Sequence, residues 1–117
     1  MDWRAVVLVA AGGAAGAVAR FGVSTLLATK GFPWATLAVN LAGCLAIGVL
    51  MQPGQPGHAT RLWAVVGFLG AFTTLSTYGF ETFDLWRAGH RGLAVGNMLA
   101  NGLGGPLLAA VGWRLAR

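Results

Sequence analysis

Gly67-Phe-Leu-Gly-Ala-Phe-Thr-Thr-Leu-Ser-Thr-Tyr78 places four hydroxyls, on Thr73, Thr74, Ser76 and Thr77, inside a segment otherwise apolar enough to cross a bilayer. Consecutive Thr and Ser beside glycines favour a broken helix. Non-helical backbone at membrane depth persists only where it is buried in protein or lines a wet path. The stretch therefore predicts a break in a spanning helix and, at the break, a site for an ion.

The rest of the chain supplies the membrane context. Of 117 residues, 56% are hydrophobic and 9% charged, against about 25% charged in average soluble domains. A spanning helix needs about 20 apolar residues, so the length accommodates one domain of four spans with short loops. The spans read as about 4–28, 33–52, 61–86 and 92–115. Their punctuation is Lys30-Gly-Phe-Pro33, Pro53-Gly-Gln-Pro-Gly57 and Arg87-Ala-Gly-His-Arg-Gly92. The first apolar run exceeds a signal-peptide core, so it reads as a span. Trp3, Trp34, Trp63, Trp86 and Trp113 fall near span ends, as interfacial belts do. The single cysteine, Cys44, excludes an internal disulfide and reads as a small buried thiol.

The formal charge of +5 comes from basic residues scattered at segment ends rather than from a run that would track nucleic acid. Cytoplasmic loops normally collect Lys and Arg. Here the termini and middle loop carry Arg4, Arg61, Arg114 and Arg117, and the other two loops carry Lys30, Arg87 and Arg91. Four against three sets no orientation. Two copies in opposite orientations can then pair as an antiparallel dimer. Gly12 with Gly16, and Gly92 with Gly96, offer small surfaces for close helix contact.

Polar residues within the spans are the candidate machinery. Arg20 shares a face with Gly12 and Gly16 and reads as leading to an aqueous vestibule; the alternative is snorkelling to the interface. Asn40 lies mid-span with Thr36 one turn before it, and Asn97 and Asn101 repeat the spacing in the fourth span. Asparagine amides serve either as helix-to-helix hydrogen bonds or as donors to a desolvated anion. Three of them on two spans point to a donor-lined track. Glu81 is the one acidic residue well inside a span, Asp2 and Asp84 lying nearer ends, and it is functional by default or else tied near the interface to Arg87 or Lys30. Pro106 should disturb the fourth span and free the Gly102 carbonyl. His58 and His90 sit in separate loops without metal-ligand spacing, and no nucleophile motif occurs, so no enzyme is expected.

These motifs resemble the Fluc (CrcB) fluoride channels. Gly12-Gly-Ala-Ala-Gly16-Ala-Val-Ala-Arg20-Phe21 is similar to the family's glycine-rich first helix. Thr36-Leu-Ala-Val-Asn40-Leu-Ala-Gly43 is similar to its second-helix asparagine motif, and Gly67 to Tyr78 to its third-helix break. The resemblance covers essentially the whole chain. It implies an all-α integral membrane fold, an antiparallel dual-topology homodimer with two fluoride pores, and a bacterial inner-membrane location. It also implies a structural sodium ion held by the backbone carbonyls of Gly70 and Thr73. Asn40, Thr36, Ser76, Thr77 and Glu81 would line the fluoride pathway, with Arg20 at its vestibule. The older family label of camphor resistance finds no support in these residues.

The sequence departs from the family pattern at two places. Where the family reads Thr-Thr-Phe-Ser-Thr-Phe, this chain has Leu75 and Tyr78, and leucine lacks the electropositive ring edge that faces an anion. Where the family's fourth helix often has tyrosine and serine, this chain has Asn97 and Asn101, which would move the donor function to amides. Two other readings remain. A small multidrug-resistance-type antiporter would need a carboxylate in the first span, whose one internal charge is Arg20. A non-conducting subunit of a heteromeric fluoride channel would carry biased loop charges.

Overall fold

The computed structural model describes residues 1–117, and all its regular structure is helical. The first helix, Trp3–Leu26, is capped by Asp2, whose carboxylate accepts the Arg4 N–H at 3.1 Å. The second, Trp34–Leu50, starts after Pro33. A third helical stretch, His58–Arg87, is interrupted at Thr73 and Thr74, and the fourth helix is Arg91–Leu115. The first helix ends two residues before position 28. The third begins at His58, three residues ahead of position 61, because Gly57 provides an extended residue from which the helix can start. The second helix has 17 residues, about 25 Å at 1.5 Å per residue, near the short limit for a span. The other three are long and apolar enough to cross a membrane.

Two backbone-to-backbone crossings organise the bundle. The first helix packs on the N-terminal half of the third, and the second on the fourth. In the first crossing a Cβ at Gly12 would overlap the Trp63 carbonyl oxygen, and one at Gly16 would overlap that of Phe68. In the second, a Cβ at Gly48 would overlap the Ala109 carbonyl and one at Gly112 the Leu45 carbonyl. Helices in lipid gain no hydrophobic drive to associate, so such van der Waals contact supplies the cohesion. Gly92 and Gly96, by contrast, have no neighbour within 4 Å of a built Cβ. The face carrying these two glycines is open within the chain, while Ala94 and Asn97 beside it are buried.

The stretch Arg61–Leu69 is wound as a π-helix, an uncommon form found mostly as short bulges near functional positions. It lies against Gly12 and Gly16 and leads into the break. Pro106 is accommodated inside the continuous fourth helix. Only 15 of the 117 residues are buried, while Val18, Phe21, Leu103 and Leu107 are exposed. A chain of this composition therefore covers most of its apolar surface with lipid or with another chain.

Candidate functional site

The break is built by Thr73 and Thr74, both in extended conformation. Thr74 caps the second half of the span, Leu75–Arg87, by accepting the Thr77 N–H on its hydroxyl at 3.2 Å. Asn40 of the second helix clasps the same residue from the side. Its Oδ1 accepts the Thr74 N–H at 2.8 Å, and its Nδ2 donates to the Thr74 carbonyl at 3.2 Å. A backbone amide pair opened inside the membrane is thus matched by a side-chain amide pair.

The clasp has a second consequence. In an unbroken helix the Thr74 N–H would go to the Gly70 carbonyl, and the Thr77 N–H to the Thr73 carbonyl. Both donors are taken, by Asn40 and by the Thr74 hydroxyl. The carbonyls of Gly70 and Thr73 are therefore deprived of their helical partners, and both residues line two cavities at the break.

One cavity, of about 440 Å³, is bounded by Asn40 and Asn101 with Cys44, Leu75 and Tyr78. The other, of about 520 Å³, is bounded by Arg20 with Gly70, Thr73, Leu75 and Ser76. The Arg20 Nε is buried without a hydrogen-bond partner. The Leu75 and Ser76 N–H groups are among the first of a helix and lack intrahelical acceptors. Together with the guanidinium they make the second cavity electropositive. Leu75 borders both cavities and is 80% exposed, so nothing in the chain packs over it. Ser76 and Thr77 are exposed as well.

The three asparagines form one hydrogen-bonded chain. Asn40 Nδ2 donates to Asn101 Oδ1 at 2.9 Å. Asn101 Nδ2 donates to the Asn97 carbonyl at 2.9 Å and to Asn97 Oδ1 at 3.0 Å. Asn97 Nδ2 donates to the Thr82 hydroxyl at 2.9 Å. Asn40 and Asn101 line the cavity; Asn97 is fully buried and lines neither. The amides are engaged with one another rather than left as open donors. Glu81 pairs with neither Arg87 nor Lys30: its Oε1 accepts from the buried Thr36 hydroxyl, while Arg87 pairs with Asp84 on the surface.

Sequence reasoning missed Thr82, Gln52 and the Gly48–Gly112 crossing. Thr82 sits one turn beyond Tyr78, to whose carbonyl it donates at 2.7 Å, so extending the hydroxyl pattern by that turn would have found it. Gln52 donates to the carbonyls of Gly48 and Trp113 at 3.0 and 3.1 Å, tying the ends of the second and fourth helices. Read as the last residue of the second span, it carried no sign of a partner on the fourth.

Fold and site define a multi-pass membrane protein with one broken span pinned by an asparagine network. A family model described as "CrcB-like protein, Camphor Resistance (CrcB)" matches residues 7–113, and the chain belongs to this family. It is 45% identical over 114 residues to a protein of Dehalococcoides mccartyi named "Fluoride-specific ion channel FluC", covering 92% of this chain and 88% of that one. Proteins of the same name from Paracoccus denitrificans and Chlorobium phaeobacteroides are 42% and 40% identical. These matches cover 80% and 98% of this chain, and 78% and 94% of the relatives.

Proposed function

We propose that the chain is a passive, fluoride-selective channel that exports cytoplasmic fluoride across the bacterial plasma membrane. It acts as an antiparallel dual-topology homodimer with two pores. The observation that carries this reading is the Asn40 clasp on Thr74, which keeps a span open at membrane depth beside amide donors and hydroxyls. The name that the relatives carry supplies the ion.

Fluoride is small and strongly hydrated, so a pore must replace its water with donors. A fixed cation at the narrowest point would hold it too tightly to let it leave. In this reading Arg20 raises the local fluoride concentration in the wide cavity. The neutral groups of Ser76, Thr77, Tyr78, Asn40 and Asn101 carry the ion onward, toward Thr36 and Glu81. An anion arriving at Asn40 competes with Asn101 Oδ1 for an amide proton. One acceptor replaces another, so no donor is stripped bare during passage. Leu75 offers no ring edge, and the amide chain from the fourth helix takes over that part of the lining.

The dimer would place the break of one copy against that of the other. The Gly70 and Thr73 carbonyls, lacking helical donors, suit a hard monovalent cation such as sodium, whose role would be structural. A non-conducting heteromeric subunit is disfavoured by the even loop charges. The antiporter reading loses its basis with the family assignment.

Growth of a fluoride-sensitive bacterium lacking its own exporter tests the function: expression of the chain should restore growth on fluoride, and failure despite membrane expression contradicts it. Orientation is tested with Cys44→Ala and a single cysteine at Gln55. An impermeant maleimide should label about half of the copies from either side of the membrane, as an unbiased chain inserts. Labelling from one side alone would rule out dual topology.

A further inference from the structure

We propose that Thr82 is a positioning residue for the fluoride pathway, fixing the orientation of the Asn97 and Asn101 amides from outside the cavity. The inference rests on reading Asn40 and Asn101 as pathway residues.

The amide chain has a polarity, and its two ends set it. At one end the Thr74 N–H can only donate, so Asn40 must present Oδ1 to it and turn Nδ2 toward Asn101. Asn101 must then accept on Oδ1, which turns its Nδ2 to the Asn97 carbonyl and Oδ1. At the other end the Tyr78 carbonyl can only accept, and it takes the Thr82 proton at 2.7 Å. The Thr82 oxygen is left as an acceptor and receives Asn97 Nδ2 at 2.9 Å. Asn97 is consequently held with its oxygen toward Asn101. A reversed Asn97 would place two acceptors, its own Oδ1 and the Thr82 oxygen, against each other, and two amide donors against each other at Asn101.

Asn97 is 0% exposed and cannot exchange this partner for water. Thr82 therefore acts at a distance: it holds Asn97 with Oδ1 toward Asn101 Nδ2, and so reinforces from the buried end the orientation that Asn40 imposes on Asn101 from the cavity. A threonine that merely back-bonds to the preceding turn, a common arrangement in helices, would need no side-chain partner on a neighbouring span.

Fluoride efflux from liposomes separates the possibilities, with Thr82→Val, Thr82→Ser, Asn97→Ala, Asn101→Ala and the Thr82→Val/Asn97→Ala pair compared at equal folded protein. Thr82→Val should lower flux by about three- to tenfold, the bias set by one hydrogen bond. Thr82→Ser should restore it, and Thr82→Val should add no loss once Asn97 is alanine. Should Thr82→Val fail to fold, Thr82→Ala removes the same hydroxyl with less bulk. Unchanged flux in the Thr82 variants with reduced flux in Asn97→Ala overturns the positioning role and leaves the pathway reading standing. An undiminished loss in the Asn97→Ala background overturns the route through Asn97. Wild-type flux in Asn97→Ala, Asn101→Ala and Thr82→Val alike overturns the pathway reading itself.

Discussion

The two halves of the third span are held in opposite ways. The half before the break lies backbone against backbone on the first helix, with Gly12 and Gly16 admitting the carbonyls of Trp63 and Phe68. The half after it is attached through side chains: Asn40 to Thr74, Thr36 to Glu81, and Asn97 to Thr82. Direct backbone packing tolerates no change of volume, because a backbone cannot step aside. Side-chain hydrogen bonds can be exchanged for bonds to a passing ion. The first half is suited to anchoring, and the second to contact with a permeant.

That contrast is broken most severely at Gly16. Gly16→Val drives a side chain into the Phe68 carbonyl and should cost about 3 kcal/mol, the upper end for overpacking. Thermal unfolding in detergent should show a large loss of folded protein. Asn40→Ala should spare more of the fold: it strands the Thr74 N–H and carbonyl, but both border the cavity and can be rehydrated, so each should cost about 1 kcal/mol, the low end for an unsatisfied group. Fluoride flux should fall by about tenfold or more. Thr36→Val keeps the shape and removes one hydrogen bond to Glu81; a fall in flux of about threefold, with folding intact, is the expected result. Gly22→Ala is the mildest change. A Cβ there meets nothing within 4 Å, so stability should stay level or rise by up to about 1 kcal/mol through better helix propensity, with flux unchanged. Equal damage from Gly22→Ala and Gly16→Val would erase the distinction between an anchored face and an open one.

The break was legible because Thr73 and Thr74 adjoin glycine-flanked apolar sequence, and a polar backbone in lipid admits few alternatives. Asn97 and Asn101 were legible as a same-face pair through their i, i+4 spacing, but spacing cannot say which of the two borders a cavity and which stands behind it. Thr82 was within reach as one more hydroxyl a turn past Tyr78, but its partner Asn97, on another span, was not. Likewise Gly48 and Gly112 meet the carbonyls of Ala109 and Leu45 only after the second and fourth helices have docked, and nothing local in either segment announces that crossing. The π-helical winding of Arg61–Leu69 left no mark in composition or periodicity.

Efflux of fluoride and of chloride from liposomes holding the purified wild-type chain tests the central claim most directly. The account predicts rapid fluoride loss with chloride retained under the same gradient. Folded protein that releases no fluoride, or releases both anions at similar rates, would contradict it.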